Sequence, residues 1–390
     1  MAKSSYSIRK LFNDIHLWLG VGSGLILFLV CLSGTIYTFR AEVESMLEPE
    51  KEKVAFVEGQ ERMSTEAIVE KLQQNPGGLV SSVTIPHAKD AAYKVSIKEN
   101  PKERRGTTYY VNPYTAEVQG STDGPATGFF MSMFRLHRWL LMEQSTGRII
   151  VGVATIIFVF LVISGLILWL PKKLKYIRQG LLIKTSANWK RVNHDLHNTL
   201  GFYASILLFV MAITGLCWSF GWYRDGLSQV LGTRVFGQRG GDKVTSTVVE
   251  NASALSIAEL IQKSESVLNY EGDYTISIPN SADAAVSIRK SKPKGFFSLY
   301  AYDKIELDQY SGEVLKAELY AEKPLNEKIA ASIKPIHTGE IFGTFSKILY
   351  FLACLIGTSL PVTGIIIWLN KLKKKAKKKQ KQKSMNKVGA

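Results

Sequence analysis

Two histidines, His16 and His197, each stand at the start of a long apolar segment, and the sequences around them are alike. The first reads NDIHLWLG over residues 13–20, and the second reads HDLHNTLG over residues 194–201. Ionisable or ligating side chains at the ends of membrane helices are rare and usually functional. The repeat predicts a duplicated membrane protein that holds a cofactor between equivalent imidazoles.

His137 and His337 form a second equivalent pair, since each precedes another apolar segment. These segments end in SGLILWL at 164–170 and TGIIIWL at 363–369, and the histidine-to-glycine spacing is 28 residues in one half and 27 in the other. Ser/Thr-Gly pairs recur in all four apolar segments. Small residues allow either helix backbones or a planar cofactor to approach closely, and the sequence leaves both roles open.

Four apolar segments, at 17–39, 149–170, 200–220 and 348–369, are each long enough to cross a bilayer and contain no charged residue. The formal net charge is +16, and its excess lies before the first segment, between the second and third, and after the fourth. The positive-inside rule predicts that both termini are cytoplasmic and that the two long connections lie outside. We interpret the lysine-rich tail as a topology anchor on anionic lipid, so no nucleic-acid partner is expected.

Each half of the chain therefore reads helix, exterior domain, helix, and the fold class predicted is membrane α-helical plus α+β. We expect the N-terminus and first span at 1–40, a periplasmic domain at 41–128, the His137 segment and second span at 129–171, a basic cytoplasmic loop at 172–196, the third span at 197–220, a second periplasmic domain at 221–330, the His337 segment and fourth span at 331–370, and the lysine-rich tail at 371–390.

Each exterior connection has the pattern of a separate small domain, with one helix on an antiparallel sheet. The helices are predicted at 64–73 and 256–264, the first with Ser64 as its cap. The strands are predicted at 79–85, 91–97 and 107–111, and then at 274–278, 284–288 and 296–302. A turn flanked by strand residues follows in both, as NPYTAEV at 112–118 and LDQYSGEV at 307–314.

Haem ligation by two histidines is the chemistry that these residues suit best. We expect His16 and His197 to face each other near the cytoplasm, and His137 and His337 to face each other on the exterior side. The apolar segments offer neither acids nor paired thiols, whereas haem needs axial ligands and an apolar pocket. The alternative is a set of interfacial histidines that cap helices or bind lipid headgroups.

Further candidate residues accompany the two pairs. His194 lies three residues before His197, so it could replace that ligand, bind a haem propionate or relay protons. Arg135 and Arg138 could hold propionates or an anionic ligand at the outer site. Asp14 and Asp195 occupy equivalent positions; they could orient a ligand or cap helices, and capping is the expected role.

The depth of the outer pair depends on the helix that carries it. His137 precedes the core of the second span by about a dozen residues, so a straight helix would place it roughly 18 Å beyond that span. A break at Ser145-Thr146-Gly147 would bring His137 to the membrane interface.

Over essentially its whole length the chain resembles the PepSY-associated transmembrane family of bacterial inner-membrane proteins. The resemblance rests on the histidine-started first span, on LHRWL at 136–140 before GLILWLP at 165–171, and on the exterior turns. The turns depart from the family pattern at Asn112, Ala116 and Gln309. The resemblance implies two b-type haems and the reduction of ferric siderophores.

We therefore expect electrons to enter near the cytoplasmic haem and to reduce a ferric siderophore between the two exterior domains, releasing Fe(II). The sequence has no P-loop and no dinucleotide-binding fingerprint, so the donor is expected to be a separate flavin reductase, reduced flavin or quinol. Two alternatives are a PepSY-type binding or regulatory protein without redox activity, and a transporter of the siderophore or a metal. Haem content would separate electron transfer from both.

Overall fold

The computed structural model describes residues 7–100, 103, 106–236, 244–248, 253–293 and 295–388. The α-helices of these residues are α1 (Ile8–Thr38), α2 (Arg40–Leu47), α3 (Thr65–Leu72), α4 (Thr127–Trp139), α5 (Gln144–Trp169), α6 (Ile177–Leu181), α7 (Trp189–Asp195), α8 (Gly201–Ser219), α9 (Gly221–Leu231), α10 (Ile257–Glu265), α11 (Leu325–Thr338) and α12 (Gly343–Val388). The strands are β1 (Leu79–Ile85), β2 (Tyr93–Lys98), β3 (Thr107–Val111), β4 (Val118–Ser121), β5 (Asp273–Ser277), β6 (Val286–Ser291), β7 (Asp303–Leu307) and β8 (Val314–Glu318).

The chain forms two compact units. The helical unit comprises residues 1–39, 130–230 and 333–390, and the sheet unit comprises residues 40–129 and 231–332. Most of α9 thus belongs to the helical unit, although the sequence assigned everything from residue 221 to the second exterior domain.

Within the described residues, four helices are long and apolar enough to cross a membrane: Ile8–Thr38, Gln144–Trp169, Trp189–Ser219 and Glu340–Gln380. This confirms the prediction of four apolar spans. The third begins at Trp189 because α7 continues through a π-helical turn at Leu196–Leu200 into α8.

The four long helices of the helical unit close into a ring. Helix α1 packs against α5 and α12, and α8 packs against the same two helices. Small residues lie at these contacts: Ala154 of α5 is buried in one cluster with Leu27 of α1, and Ala204 of α8 is buried in another with Ala353 of α12. Close packing of small side chains is the main source of helix association where lipid removes the hydrophobic driving force.

The chain reverses direction sharply before the second long helix of each half, that is, before α5 and before α12. Between α4 and α5, Leu140 and Leu141 adopt positive φ angles of 54° and 59°. Between α11 and α12, Gly339 and Gly343 adopt positive φ angles of 79° and 68°, which glycine does without steric cost. The short helices α4 and α11 therefore fold back against neighbouring spans instead of extending α5 and α12.

The sheet unit is built on one antiparallel sheet of eight strands in the order β4-β3-β2-β1-β5-β6-β7-β8. The two segments that the sequence predicts as separate exterior domains share this sheet because β1 pairs with β5, for example Val83 with Ile276. Its core includes Ile68 of α3 and Leu260 of α10, which are buried together with the inward-facing strand residues.

Most local elements of the sheet unit agree with the sequence pattern. The helices α3 and α10 follow Ser64 and Ser256, whose hydroxyls accept from backbone N–H groups of the first turn. The strand predicted at 296–302 is wrong, because those residues form a loop in which Phe296 and Phe297 are exposed. The seventh strand is Asp303–Leu307, where Ile305 and Leu307 alternate into the core.

Candidate functional site: two histidine pairs

The inner pair consists of His16 and His197, whose ring centres lie 6.3 Å apart with ring planes at 88°. His16 belongs to α1, and His197 belongs to the π-helical turn that leads into α8. Single π-helical turns inside helices occur frequently at functional sites. The structure therefore brings together the two histidines that the repeat identified.

The outer pair consists of His137 of α4 and His337 of α11, with ring centres 6.2 Å apart and ring planes at 57°. His137 contacts the α1 backbone at Val30, which is 14 residues after His16. Fourteen helical residues rise about 21 Å, so the two pairs lie at two well-separated levels of the helical unit. The reversal before α5 thus brings His137 beside the first span.

Side-chain hydroxyls fix the imidazoles of the inner pair. Nδ1 of His16 lies 2.9 Å from Oγ of Ser164, and Nδ1 of His197 lies 2.9 Å from Oγ1 of Thr363. Both hydroxyls donate their own protons to carbonyls of their helices, so each oxygen accepts from the histidine. The proton therefore sits on Nδ1, and Nε2 keeps its lone pair.

Backbone carbonyls fix the imidazoles of the outer pair. Nδ1 of His137 donates to the carbonyl of Val30, and Nδ1 of His337 donates to the carbonyl of Met211, both at 2.9 Å. The Thr214 hydroxyl lies 3.1 Å from the same atom of His337. A carbonyl only accepts, so these histidines also carry the proton on Nδ1. Partners of this kind hold the second ring nitrogen of metal-binding histidines and raise their basicity.

The glycine of each Ser/Thr-Gly pair lies against one imidazole edge. A Cβ atom added to the glycine would come within 3.1–3.4 Å of Cε1 of that histidine in all four cases. The contacts join Gly34 to His137, Gly165 to His16, Gly215 to His337, and Gly364 to His197. We call each Ser/Thr-Gly pair that contacts an imidazole in this way a histidine seat. The recurring pairs thus have a defined role beyond helix packing.

The ring separations suit one metal ion between two imidazoles. A metal–nitrogen bond of roughly 2.0–2.1 Å, with roughly 1.1 Å from that nitrogen to its ring centre, separates two opposed rings by roughly 6.3 Å. The observed separations are 6.3 and 6.2 Å. Among the described residues, no group of three or more His, Cys, Asp or Glu side chains could hold a metal ion. Each pair can therefore supply two ligands, which fits a metal that brings its other ligands in a macrocycle.

A cavity of about 650 Å³ surrounds the inner pair. Gly20 and Gly24 follow His16 by four and eight residues, and Gly201 and Ser205 follow His197 by the same intervals, all lining the cavity. Residues spaced by four lie on one face of a helix. Each imidazole therefore stands above a strip without bulky side chains, beside which a planar apolar group can lie.

His194 lies near the inner pair but is not one of its two facing rings. It exposes 55% of its side chain, lines the same cavity, and has Nδ1 3.5 Å from Oδ1 of Asp195. Because the ring that faces His16 and contacts the seat on α12 belongs to His197, the geometry favours His197 over His194 as a ligand.

The two arginines predicted near the outer pair lie on α4, the helix that also carries His137. Arg138 lies over the rings of Phe134 and Trp139, 5.7 and 5.8 Å from their centres. Arg135 is exposed on α4.

The prediction that Asp14 and Asp195 cap helices is wrong. Helix α1 begins after Ser7 and α7 begins after Asn188, so both acids lie inside helices that start about two turns earlier. Asp195 is buried and accepts a hydrogen bond from Nε of Arg191 at 2.9 Å. Asp195 therefore pairs with Arg191, one turn earlier on the same helix.

Several residues at this site were not identified from the sequence. Ser164 and Thr363 recur in the pattern, but their spacing does not say which histidine each one holds. Arg9, interpreted only as a topology signal, lines the inner cavity and donates to the carbonyls of Leu168 and Leu170.

The family model of the PepSY-associated TM region matches residues 14–371 of the chain. No curated protein matches the sequence. Because the family match spans most of the chain and all four histidines of the two pairs, the protein belongs to the PepSY-associated transmembrane family, as the resemblance of its motifs predicts.

Proposed function

We propose that this protein is a haem-containing reductase of the bacterial inner membrane, which passes electrons across the bilayer to a ferric siderophore. The observation that carries the proposal is the geometry of the two histidine pairs. Each pair combines a ring separation near 6.3 Å with a proton held on Nδ1. Histidines that only cap helices or bind headgroups would not require facing rings with both Nε2 lone pairs free.

The proposed cofactors are two b-type haems per chain, one held by His16 and His197 and the other by His137 and His337. A bound haem supplies a one-electron Fe(III)/Fe(II) couple, whose potential depends on the axial ligands and their hydrogen bonds. The residues of the chain keep the four imidazoles neutral and oriented, and the apolar helices around them exclude water.

The proposed topology gives the electron path its direction. The basic segments support cytoplasmic termini and a cytoplasmic inner pair, with the outer pair and the sheet unit on the periplasmic side. The two halves are proposed to be duplicated copies, which explains why both levels contain equivalent histidines. The levels are about 21 Å apart along α1, most of the thickness of a bilayer core of roughly 30 Å.

A ferric siderophore is the proposed electron acceptor, and Fe(II) is the proposed product. Addition of one electron lowers the charge of the iron, which weakens its attraction to the hard oxygen donors of the siderophore and releases it. The donor is proposed to be reduced flavin, a flavin reductase or quinol, because the sequence contains no nucleotide-binding motif of its own.

The visible spectrum of the detergent-purified protein tests this proposal. We expect low-spin b-type spectra in the oxidised and dithionite-reduced states, and a pyridine haemochrome count near two haems per chain. His16→Ala and His337→Ala should each remove about one haem. His87→Ala is the matched control, because His87 lies in the sheet unit with 48% of its side chain exposed.

Mixing the reduced protein with a ferric siderophore and an Fe(II) chelator then tests the substrate. Reoxidation of the protein together with formation of the Fe(II) complex supports the reductase. A colourless protein from haem-replete cells would overturn the proposal and favour a PepSY-type binding or regulatory protein. Haem that is never oxidised by the siderophore would overturn the proposed acceptor while leaving electron transfer in place.

A further inference from the structure

Two lysines occupy equivalent positions at the inner cavity. Lys172 follows the seat residue Ser164 by eight residues, and Lys371 follows the seat residue Thr363 by eight residues. Both lysines line the cavity that contains the inner pair, and both are exposed. The two halves of the chain therefore each place one ammonium group at the same cavity.

The charge around this cavity has one sign. Among its described lining residues are Arg9, Lys10, Lys172 and Lys371, and none of those lining residues is an acid. Arg9 donates hydrogen bonds to two carbonyls at the end of α5, those of Leu168 and Leu170. Lys172 and Lys371 make no hydrogen bond or ion pair with the described residues, so their three N–H donors are available to a ligand.

We infer that Lys172 and Lys371 form a two-point clamp for the two carboxylates of a haem bound in the inner cavity. This inference rests on the proposed function. A haem has an apolar ring system with two propionate groups on one edge, so its bound orientation needs apolar walls and two cations on one side. The cavity offers strips of small residues beside the imidazoles, and its pair of lysines matches two carboxylates in number and charge.

The positive-inside rule explains why lysines are frequent at this end of the helices, but not why two of them share an offset from the seats and line the cavity. Lys173 and Lys373 are the matched controls. Lys173 follows Lys172 directly and Lys373 lies two residues after Lys371; both carry the same charge as the clamp lysines, but they do not line the cavity.

Haem dissociation tests the clamp. The measurement uses the His137→Ala background, so that the inner haem is observed alone, and follows its transfer to excess apomyoglobin in detergent. We expect Lys172→Gln/Lys371→Gln to speed the loss of ferric haem about ten-fold, since each exposed ion pair contributes roughly three- to five-fold. The difference should shrink at high salt. Lys173→Gln/Lys373→Gln should leave the rate unchanged, and Lys172→Arg/Lys371→Arg should keep it close to that of the parent.

A second ligand identifies the group that the lysines hold. Apo-protein from haem-deficient cells is loaded with ferric haem b or with its dimethyl ester, which lacks both carboxylates. We expect the ester to leave the parent and the glutamine variant at the same rate. Equal rates for free-acid haem in parent and variant would overturn the clamp while leaving the histidine ligation intact. A difference that persists with the ester would also overturn it and point to another anion at the lysines. A parent that binds no haem would overturn the proposed function and this inference together.

Discussion

The Ser164 hydroxyl oxygen lies 2.9 Å from Nδ1 of His16, and its own proton goes to the carbonyl of Leu161. A side chain that already donates can only accept from the histidine, so this contact fixes the tautomer of His16. At the outer level the same task falls to the backbone, where the Val30 carbonyl accepts from His137. The two levels therefore differ in which group is the main acceptor, a hydroxyl at the inner level and a backbone carbonyl at the outer level.

Removal of the inner hydroxyls should weaken the inner haem. Ser164→Ala and Thr363→Ala each remove the hydroxyl that accepts from Nδ1–H and leave the carbonyl of Leu161 or Leu360 as the remaining acceptor. Loss of such a partner typically changes metal affinity by about ten- to a hundred-fold, and we expect a change near the lower end. The rate of haem transfer to apomyoglobin measures the effect. Ser33→Ala is the control at the outer level, because His137 donates to a backbone carbonyl that this substitution keeps. Equal acceleration of haem loss by Ser33→Ala and Ser164→Ala would contradict the assignment.

The glycine of a seat should not tolerate a methyl group. A Cβ atom at Gly34 would lie 3.1 Å from both Nδ1 and Cε1 of His137, and overpacking of this kind costs about 1–3 kcal/mol. We expect Gly34→Ala to lose the outer low-spin haem signal and to keep the inner one. Gly22 lies on the same helix and has no atom within 4 Å of an added Cβ, so Gly22→Ala should retain both haems. Difference spectra and haem counts compare the two variants, and an equal loss in both would exclude a specific seat.

Separate substitutions of His194 and His197 should show which of the two histidines is the inner haem ligand. His197→Ala removes the ring that faces His16, so we expect about one haem to be lost and the outer haem to remain. His194→Ala changes an exposed side chain and should keep two haems per chain. The pyridine haemochrome count decides between them, and the reverse pattern would assign the inner ligand to His194.

Asp308 should make the stability of the sheet unit depend on pH. This buried carboxylate accepts from the backbone N–H groups of Thr247, Tyr310 and Ser311 at 2.7–2.9 Å. Burial opposes the charge, but these hydrogen bonds outweigh it and hold the pKa of Asp308 below its ordinary value of 3.8. The stabilisation is therefore complete well above pH 3.8 and is lost as the pH falls through the depressed pKa.

Asp308→Asn should remove that pH dependence. It should also lower the free energy of unfolding by roughly 1–3 kcal/mol at neutral pH, since the amide keeps one acceptor but loses the charge. The first half already uses an amide at the equivalent turn, where Oδ1 of Asn112 accepts from the N–H of Tyr114 at 2.9 Å. The variant should therefore fold. Thermal unfolding midpoints of the full chain in detergent, measured from neutral pH to below pH 4, give the comparison. Parallel curves for parent and variant would show that Asp308 does not contribute the effect.

The sequence was sufficient to predict which histidines pair, because the members of each pair occupy equivalent positions in the two similar halves of the chain. It could not identify what holds each ring. Ser164 is 148 residues from His16 in the sequence. Helical periodicity predicts which face of a helix packs inward, but not which other helix it packs against.

The errors in the sheet unit have a similar origin. The aromatic run at 296–302 has high strand propensity, but pairing with β6 selects Asp303–Leu307, where Ile305 and Leu307 can reach the core. No local sequence pattern predicts that β1 pairs with β5, because that pairing depends on where the other half of the chain lies. Caps and strand interiors, by contrast, depend on nearby residues, and α3 begins after Ser64 as its sequence predicts.

Each half of the chain is self-sufficient in one respect: it contains both the imidazoles that it contributes and the acceptors that hold them. His16 uses Ser164 and His137 uses Val30 within the first half, while His197 and His337 find their acceptors within the second. Two separate copies of one half, related by a two-fold axis, would thus carry a full set of ligands at both levels.

The pairing of β1 with β5 has the same form, since antiparallel contact between equivalent strands is what a two-fold dimer produces. Both features fit the proposed duplication, in which one polypeptide contains two equivalent halves related by a two-fold axis. Because the two halves belong to one polypeptide, their association is intramolecular, and the assembly of both sites does not depend on protein concentration. The two halves also differ at some equivalent positions, since residue 194 is histidine whereas its counterpart is Asn13.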